Sequence, residues 1–218
     1  APVVTRVAIG GYIHGGLCHS QNIEAFFSHI PGILIAYPSN AADAKGLLKT
    51  ACRIKDPVLF LEHKGLYRQS FAITPEPDEN YLLPFGVAKV IKEGTDVTVV
   101  SWGVSLWDSM IAAKKLEDEN YSVEVIDLRT IVPLDEETIY NSVKKTNKVI
   151  IIHEDTLFGG FGAEIAARIA DNCFQYLDAP VKRIGAKDSH IPYAPILENE
   201  VLPSRDEIYN GIKDLLKY

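Results

Sequence analysis

Apolar positions along this chain switch between a spacing of two and a spacing of three to four, and the switches mark out alternating strands and helices. Val3 to Ile9 (VVTRVAI) is β-branched and predicts a strand. After a glycine-rich loop, Ile23, Phe26, Phe27 and Ile30 fall at helical spacing. A short strand over Ile33 to Ala36 follows, then a helix over Ala41 to Arg53 that Asn40 is placed to cap, with Asp43 three residues on. Val58 to Leu61 (VLFL), just after Pro57, is an apolar strand. This order predicts part of a parallel sheet over residues 1–70, with a first strand that lacks neighbours. Residues 71–85 carry Pro75, Pro77 and Pro84 without a helical period and read as a linker.

From Gly86 the alternation restarts and runs to the C-terminus, predicting a second α/β unit over 86–218. Val97 to Ser101, Val123 to Ile126, Val149 to Ile152 and Val181 to Ile184 are its strands. Leu106, Met110, Ala113 and Leu116 mark one helix face, and further helices are expected over Asp135 to Lys145 and Ala163 to Asn172. Ser204 with Glu207 is the signature of a capping box opening a last helix. The fold class is therefore α/β throughout.

Composition narrows the partners. The chain has 218 residues, 47% of them hydrophobic, enough for one or two ordinary cores. No apolar run reaches the ~18 residues of a membrane span, and the first residues lack the layout of a signal peptide, so a membrane is not an expected partner and the cytoplasm is the expected location. A net charge of −7 without a Lys/Arg cluster argues against nucleic acid and suits a basic protein partner. Cys18, Cys52 and Cys173 show no CxxC spacing and read as small core residues.

The stretch Gly10 to Glu24 (GGYIHGGLCHSQNIE) holds four glycines and two histidines between a strand and a helix. Glycines let backbone approach a ligand closely. The stretch lacks both the P-loop and the dinucleotide spacing, so neither is supported. His19 is the sharpest candidate for proton transfer, since a neutral imidazole near pH 7 both accepts and donates, and a helix start disfavours its charged form; a hydrogen-bonded structural histidine is the other reading. His14 reads as loop-lining or interface. Ser20 and Gln21 either cap the helix that follows or touch a cofactor. Glu24 and His29 are expected on a solvated helix face. Glu62, His63 and Lys64 end a strand and are either site residues or simply exposed. His153 and Glu154 end another strand, where they could meet a partner. Asp127 and Arg129 suggest a local ion pair. HEDTLFGGFGAEIAARI, lacking GK[ST], reads as a tight turn packing a helix onto the sheet.

GGLCHSQNIEAFFSHIPG (15–32), DLRTIVPLDEETI (127–139), GGFGAEIAARI (159–169) and RIGAKDSHIPYAPILE (183–198) together resemble the beta subunit, or fused beta half, of thiamine-diphosphate-dependent 2-oxoacid dehydrogenases, nearest the branched-chain type. The resemblance covers nearly the whole chain. It implies a partial pyrimidine-type thiamine-binding domain over 1–70, a linker over 71–85 and a transketolase C-terminal-like domain over 86–218, with family members continuing upstream of Ala1. It further implies that a 2-oxoacid is decarboxylated on thiamine diphosphate and that the acyl group passes to a lipoyl disulfide. His19, matching the histidine of HSQ, would protonate the opening sulfur or position that proton, beside Ser20 and Gln21. Thiamine diphosphate and Mg²⁺ would be held mostly by other parts of the enzyme. A K⁺ site would lie on main-chain oxygens of Ala51, Cys52, Ile54 and Asp56, where an ordinary helix end is the competing reading. Implied partners are an alpha subunit or fused alpha half, a lipoyl acyltransferase core and a second beta copy, in the cytoplasm or, in a eukaryote, the mitochondrial matrix. A non-catalytic dimerisation or docking role, or another transketolase-like enzyme such as deoxyxylulose phosphate synthase, are the alternatives.

Overall fold

The computed structural model describes residues 1–218. In chain order the elements are β1 (Val4–Ile9), α1 (Gly16–His19), α2 (Glu24–Ser28), β2 (Leu34–Ala36), α3 (Ala41–Ala51) and β3 (Val58–His63), followed by short 3-10 turns at Lys64–Leu66 and Ser70–Ala72. Then come β4 (Lys89–Lys92), β5 (Val97–Ser101), α4 (Gly103–Glu117), β6 (Val123–Asp127), β7 (Thr130–Val132), α5 (Glu136–Thr146), β8 (Val149–Thr156), α6 (Phe161–Cys173), a 3-10 turn at Phe174–Tyr176, β9 (Lys182–Ala186), α7 (Pro195–Val201) and α8 (Arg205–Leu215).

Two sheets form. The first has the order β1-β3-β2-β7 and the second β4-β6-β5-β8-β9. β1 runs parallel to β3 in continuous register from Val4 opposite Val58 to Ile9 opposite His63, so the expectation that the first strand lacks neighbours is wrong on one side. The apolar VLFL run makes a strand that pairs on both edges, and β1 takes one of them. The other edge of β1 ends the sheet.

β7 was not foreseen. Three residues carry no readable period, and what makes them a strand is antiparallel pairing of Val132 with Ile35 and Thr130 with Ala36 in the first sheet. The largest core cluster accordingly joins the sheets: Ile9, Ile35, Leu59 and Leu61 of the first pack with Val100, Ile126 and Ile151 of the second and with Trp102, which follows β5. In the second sheet β5, β6, β8 and β9 are parallel neighbours, and β4 is added antiparallel along β6. β5 is buried along its whole length and β8 over its first six residues, as suits a sheet covered on both faces.

Local signals place the helices. The Asn40 side chain accepts from Asp43 N–H at 2.9 Å to start α3, Asp135 does the same for α5 through Thr138 N–H, and Ser204 and Glu207 complete the capping box of α8. The loop before α2 departs from the expected layout. A one-turn helix, α1, forms within it, and of the expected helical positions only Phe26 and Phe27 lie in five-residue α2, with Ile23 at its cap, Ile30 beyond its end and Phe26 left exposed.

Candidate functional site

Parallel strands direct their C-terminal ends to one side, and here β1, β3 and β8 bring Gly10–Gly11, His63 and Glu154 together. Glu154 is 4% exposed. Its Oε1 accepts from the Gly11 N–H at 2.6 Å and from Asn22 Nδ2 at 2.6 Å. Its Oε2 lies 2.6 Å from Nε2 of His63, itself 2% exposed. Burial alone would raise the Glu154 pKa; the charge and hydrogen bond of His63, with the Gly11 and Asn22 donors, outweigh it and hold the carboxyl below its ordinary value. Asn22 accepts in turn from the Tyr37 hydroxyl at 2.9 Å. Gly10 is required where it stands: its φ is +92°, and an added Cβ would lie 2.3 Å from the His63 ring.

Between Gly11 and Asn22 the chain forms a compact loop. Tyr12 and His14 have φ of 62° and 57°, and a second buried carboxylate holds the turn: Glu198, fully buried, lies 2.6 Å from His14 Nδ1 and accepts from the His14 N–H at 3.3 Å. Ser20 Oγ accepts from Gly15 N–H at 3.0 Å. Gln21 donates to the Gly16 carbonyl at 3.2 Å and accepts from Ile191 N–H at 3.5 Å. His19, the last residue of α1, is exposed.

Next to this loop lies a second buried acid group. Glu24 is fully buried and accepts from Trp102 Nε1 at 3.1 Å, while its Oε2 has no partner. Desolvation, reinforced by the Asp155 charge, pushes its carboxyl up to about 8, and burial lifts Asp155 to about 6. His153 stacks on Trp102 with ring centroids 5.4 Å apart, and burial lowers its pKa to about 4, so it is neutral. A cleft of about 840 Å³ opens between the loop at Tyr12–Ile13, the turn at Lys64–Phe71 and the start of α8.

The model of the transketolase C-terminal domain matches residues 86–208, and that of the transketolase pyrimidine binding domain matches residues 1–70. The chain belongs to the transketolase family. Among curated relatives it is 43% identical to the 2-oxoisovalerate dehydrogenase subunit beta of Bacillus subtilis over 218 residues, covering 100% of this chain and 66% of that protein. It is 42% identical to the pyruvate dehydrogenase E1 component subunit beta of Rickettsia conorii over 219 residues, again covering 100% and 66%. The chain thus spans just under two thirds of the length of these relatives. A split gene transketolase solved as an inactive beta4 tetramer superposes with a TM-score of 0.77 at 24% identity, covering 98% of this chain and 65% of that one, and so shares the fold.

Within this transketolase-type chain several expectations need correction. His19 ends its helix instead of opening one. Ser20 is fully buried and turns back to Gly15; α2 starts at Glu24, with Ile23 as an N-cap residue that offers no side-chain hydrogen bond. Glu24 is not on a solvated face, because Trp102 draws it inward. Neither His63 nor Glu154 is an exposed strand end, nor does Glu154 face outward to a partner: they meet each other. Arg129 does not pair with Asp127 but reaches Asp43, bidentate at 2.8 and 2.9 Å. Asp127 instead accepts from Ser39 Oγ at 3.0 Å, and burial with the Asp43 charge raises it to about 7. Cys173 is buried, but Cys18 and Cys52 are exposed and are not core residues. The glycines after β8 do pack tightly, since a Cβ on Gly162 would meet the His153 ring at 2.6 Å.

For cations the chain's own side chains offer little. No three or more His, Cys, Asp or Glu side chains group at metal-ligand spacing. Ala51 is the last residue of α3 and Cys52 its cap; Ile54 and Asp56 lie in the turn to β3, and the Ala51 carbonyl accepts from Ile54 N–H at 3.2 Å. No helix is long and apolar enough to cross a membrane.

Proposed function

We propose that this chain forms the beta portion of a thiamine-diphosphate-dependent 2-oxoacid dehydrogenase, working with an alpha subunit or fused alpha half, a second beta copy and a lipoyl acyltransferase core. The observation that supports this most is similarity along its whole length to beta subunits of 2-oxoisovalerate and pyruvate dehydrogenases, together with an exposed histidine on a loop held from both sides. When bound, thiamine diphosphate supplies the electron sink for decarboxylation. In this reading its diphosphate and Mg²⁺ are held mostly by the alpha portion.

His19 is the proton donor in this reading. The electron pair left on the substrate carbon when carbon dioxide departs would form the bond to one sulfur of a lipoyl disulfide, so that the S–S bond breaks and the other sulfur leaves as a thiolate; His19 in its protonated form gives that thiolate a proton and is recharged from solvent, to which it is open. Ser20 and Gln21 shape the loop around it. K⁺ on the main-chain oxygens of Ala51, Cys52, Ile54 and Asp56 would staple the end of α3; a melting temperature that rises in potassium but not in choline salts of equal ionic strength checks this. A cytoplasmic location, or the mitochondrial matrix in a eukaryote, goes with the reading.

The test is reconstitution. The beta protein, paired with its alpha partner and thiamine diphosphate, should transfer acyl groups from pyruvate or a branched 2-oxoacid to a lipoylated domain, and neither protein should do so alone. Failure of the pair with every 2-oxoacid, while a docking interaction with the acyltransferase persists, would favour the non-catalytic role.

A further inference from the structure

Glu154 belongs to the second sheet, yet all three of its partners lie in the first seventy residues. Gly11 stands before the His19 loop and Asn22 after it. One carboxylate oxygen, Oε1, receives a donor from each, at 2.6 Å in both cases. The loop therefore closes on a single atom supplied by a different sheet. The other oxygen is fixed by His63, whose ring is enclosed by glycines: a Cβ on Gly10 or Gly65 would lie 2.3 or 2.8 Å from it. Freedom at this atom is small on every side.

We propose that Glu154 is the positioning residue of the proposed acyl-transfer step: it clasps the two ends of the His19 loop and so sets where the imidazole stands relative to the lipoyl sulfur. The inference rests on the proposed function. Its physical basis is the cost of the alternatives. With Glu154 removed, two donors and a buried histidine lose their acceptor at once, each carrying the desolvation penalty of an unpaired buried group. Those donors regain partners only by moving toward water, which opens the loop. Within the loop the bond from Gly15 N–H to Ser20 Oγ remains, and the His14–Glu198 contact and the tie of Gln21 to Ile191 still hold its middle to residues 191–198. The loop should thus relax about those remaining ties once Gly11 and Asn22 are released, and His19 should be misplaced instead of lost. A misplacement on the order of 1 Å is enough to lower a rate about 10²-fold.

Two substitutions separate positioning from packing. In Glu154→Gln an amide oxygen still accepts from Gly11 and Asn22, and its NH₂ faces His63 as a donor. In Glu154→Ala nothing accepts. In the full assembly with the alpha partner, Glu154→Ala should lower lipoyl-dependent turnover by about 10²-fold, Glu154→Gln should recover most of it, and decarboxylation read with an artificial electron acceptor should fall much less. The double variant His19→Ala/Glu154→Ala should be no slower in acyl transfer than His19→Ala, because a misplaced group that is already absent costs nothing more. Amide exchange over residues 11–22, measured on the same proteins, reads the clasp without reference to activity. It should quicken in Glu154→Ala and stay near wild type in Glu154→Gln. Unchanged exchange in Glu154→Ala, multiplicative losses in the double variant, or equal losses in both activity assays would each overturn the proposal. If His19→Ala is itself harmless to acyl transfer, the proposed function of His19 fails and the positioning role falls with it, while quickened exchange in Glu154→Ala would still show a clasp that serves only the fold.

Discussion

The Trp102 indole N–H donates to Glu24 Oε1 across 3.1 Å, joining the helix that follows the His19 loop to the residue that ends the link between β5 and α4. The other oxygen of Glu24 is buried without a partner, an arrangement that suits a protonated carboxyl far better than a charged one.

A pH dependence follows. Burial and the Asp155 charge raise Glu24 from 4.5 to about 8 in the folded state. Between those values the folded chain binds more protons than the unfolded one, so the Glu24 contribution is fully present below about 4.5 and is lost as pH rises through about 8. Asp127, raised to about 7, and Asp155, raised to about 6, act with the same sign. Glu24→Gln keeps the acceptor for Trp102 and removes the titration. Melting temperatures of both proteins across this range should diverge in favour of Glu24→Gln as pH increases; parallel curves would mean that Glu24 is charged in the fold.

Asp43 and Arg129 form a bidentate pair with side chains 4% and 9% exposed, bridging α3 to the residue before β7. Removing one member leaves an uncompensated buried charge, which costs about 3–5 kcal/mol. Asp43→Ala should therefore lower stability in a denaturant titration by about that amount, and adding Arg129→Met should restore part of it. A loss below about 1 kcal/mol, the value of an exposed pair, would contradict the buried pairing.

Gly10 and Gly32 share a φ near +90°, but only Gly10 has neighbours: an added Cβ meets His63 at 2.3 Å, whereas nothing lies within 4 Å of the same position on Gly32. Both Gly→Ala changes should bear the left-handed backbone penalty of about 1–2 kcal/mol. Gly10→Ala should lose clearly more, because the buried His63–Glu154 pair must move. Equal losses, measured by denaturant unfolding, would argue against tight packing of the glycine on that ring.

What could be read from the sequence was what short segments decide for themselves. Asn40 with Asp43, and Ser204 with Glu207, announce helix starts within four residues, and the structure has both caps. The apolar runs of β3, β5 and β8 are strands in any context that buries them. The site was legible only in part. HSQ pointed to His19 through family resemblance, whereas the partners of the loop lie far off along the chain: Glu154 is 143 residues from Gly11 and 91 from His63. No local period encodes such meetings. For the same reason Glu24 looked like a surface residue, since its burial depends on Trp102, 78 residues away, and β7 was invisible until Ile35 and Ala36 supplied its register.

The central claim is that His19 delivers a proton during acyl transfer. In the complete assembly, His19→Ala should reduce lipoyl-dependent turnover by roughly 10²–10⁴-fold, the range for a positioned acid or base. The first half-reaction, followed with an artificial electron acceptor that needs no sulfur protonated, should fall far less. Selective loss of acyl transfer is the result this account predicts; equal losses in the two assays, or none in either, would contradict it.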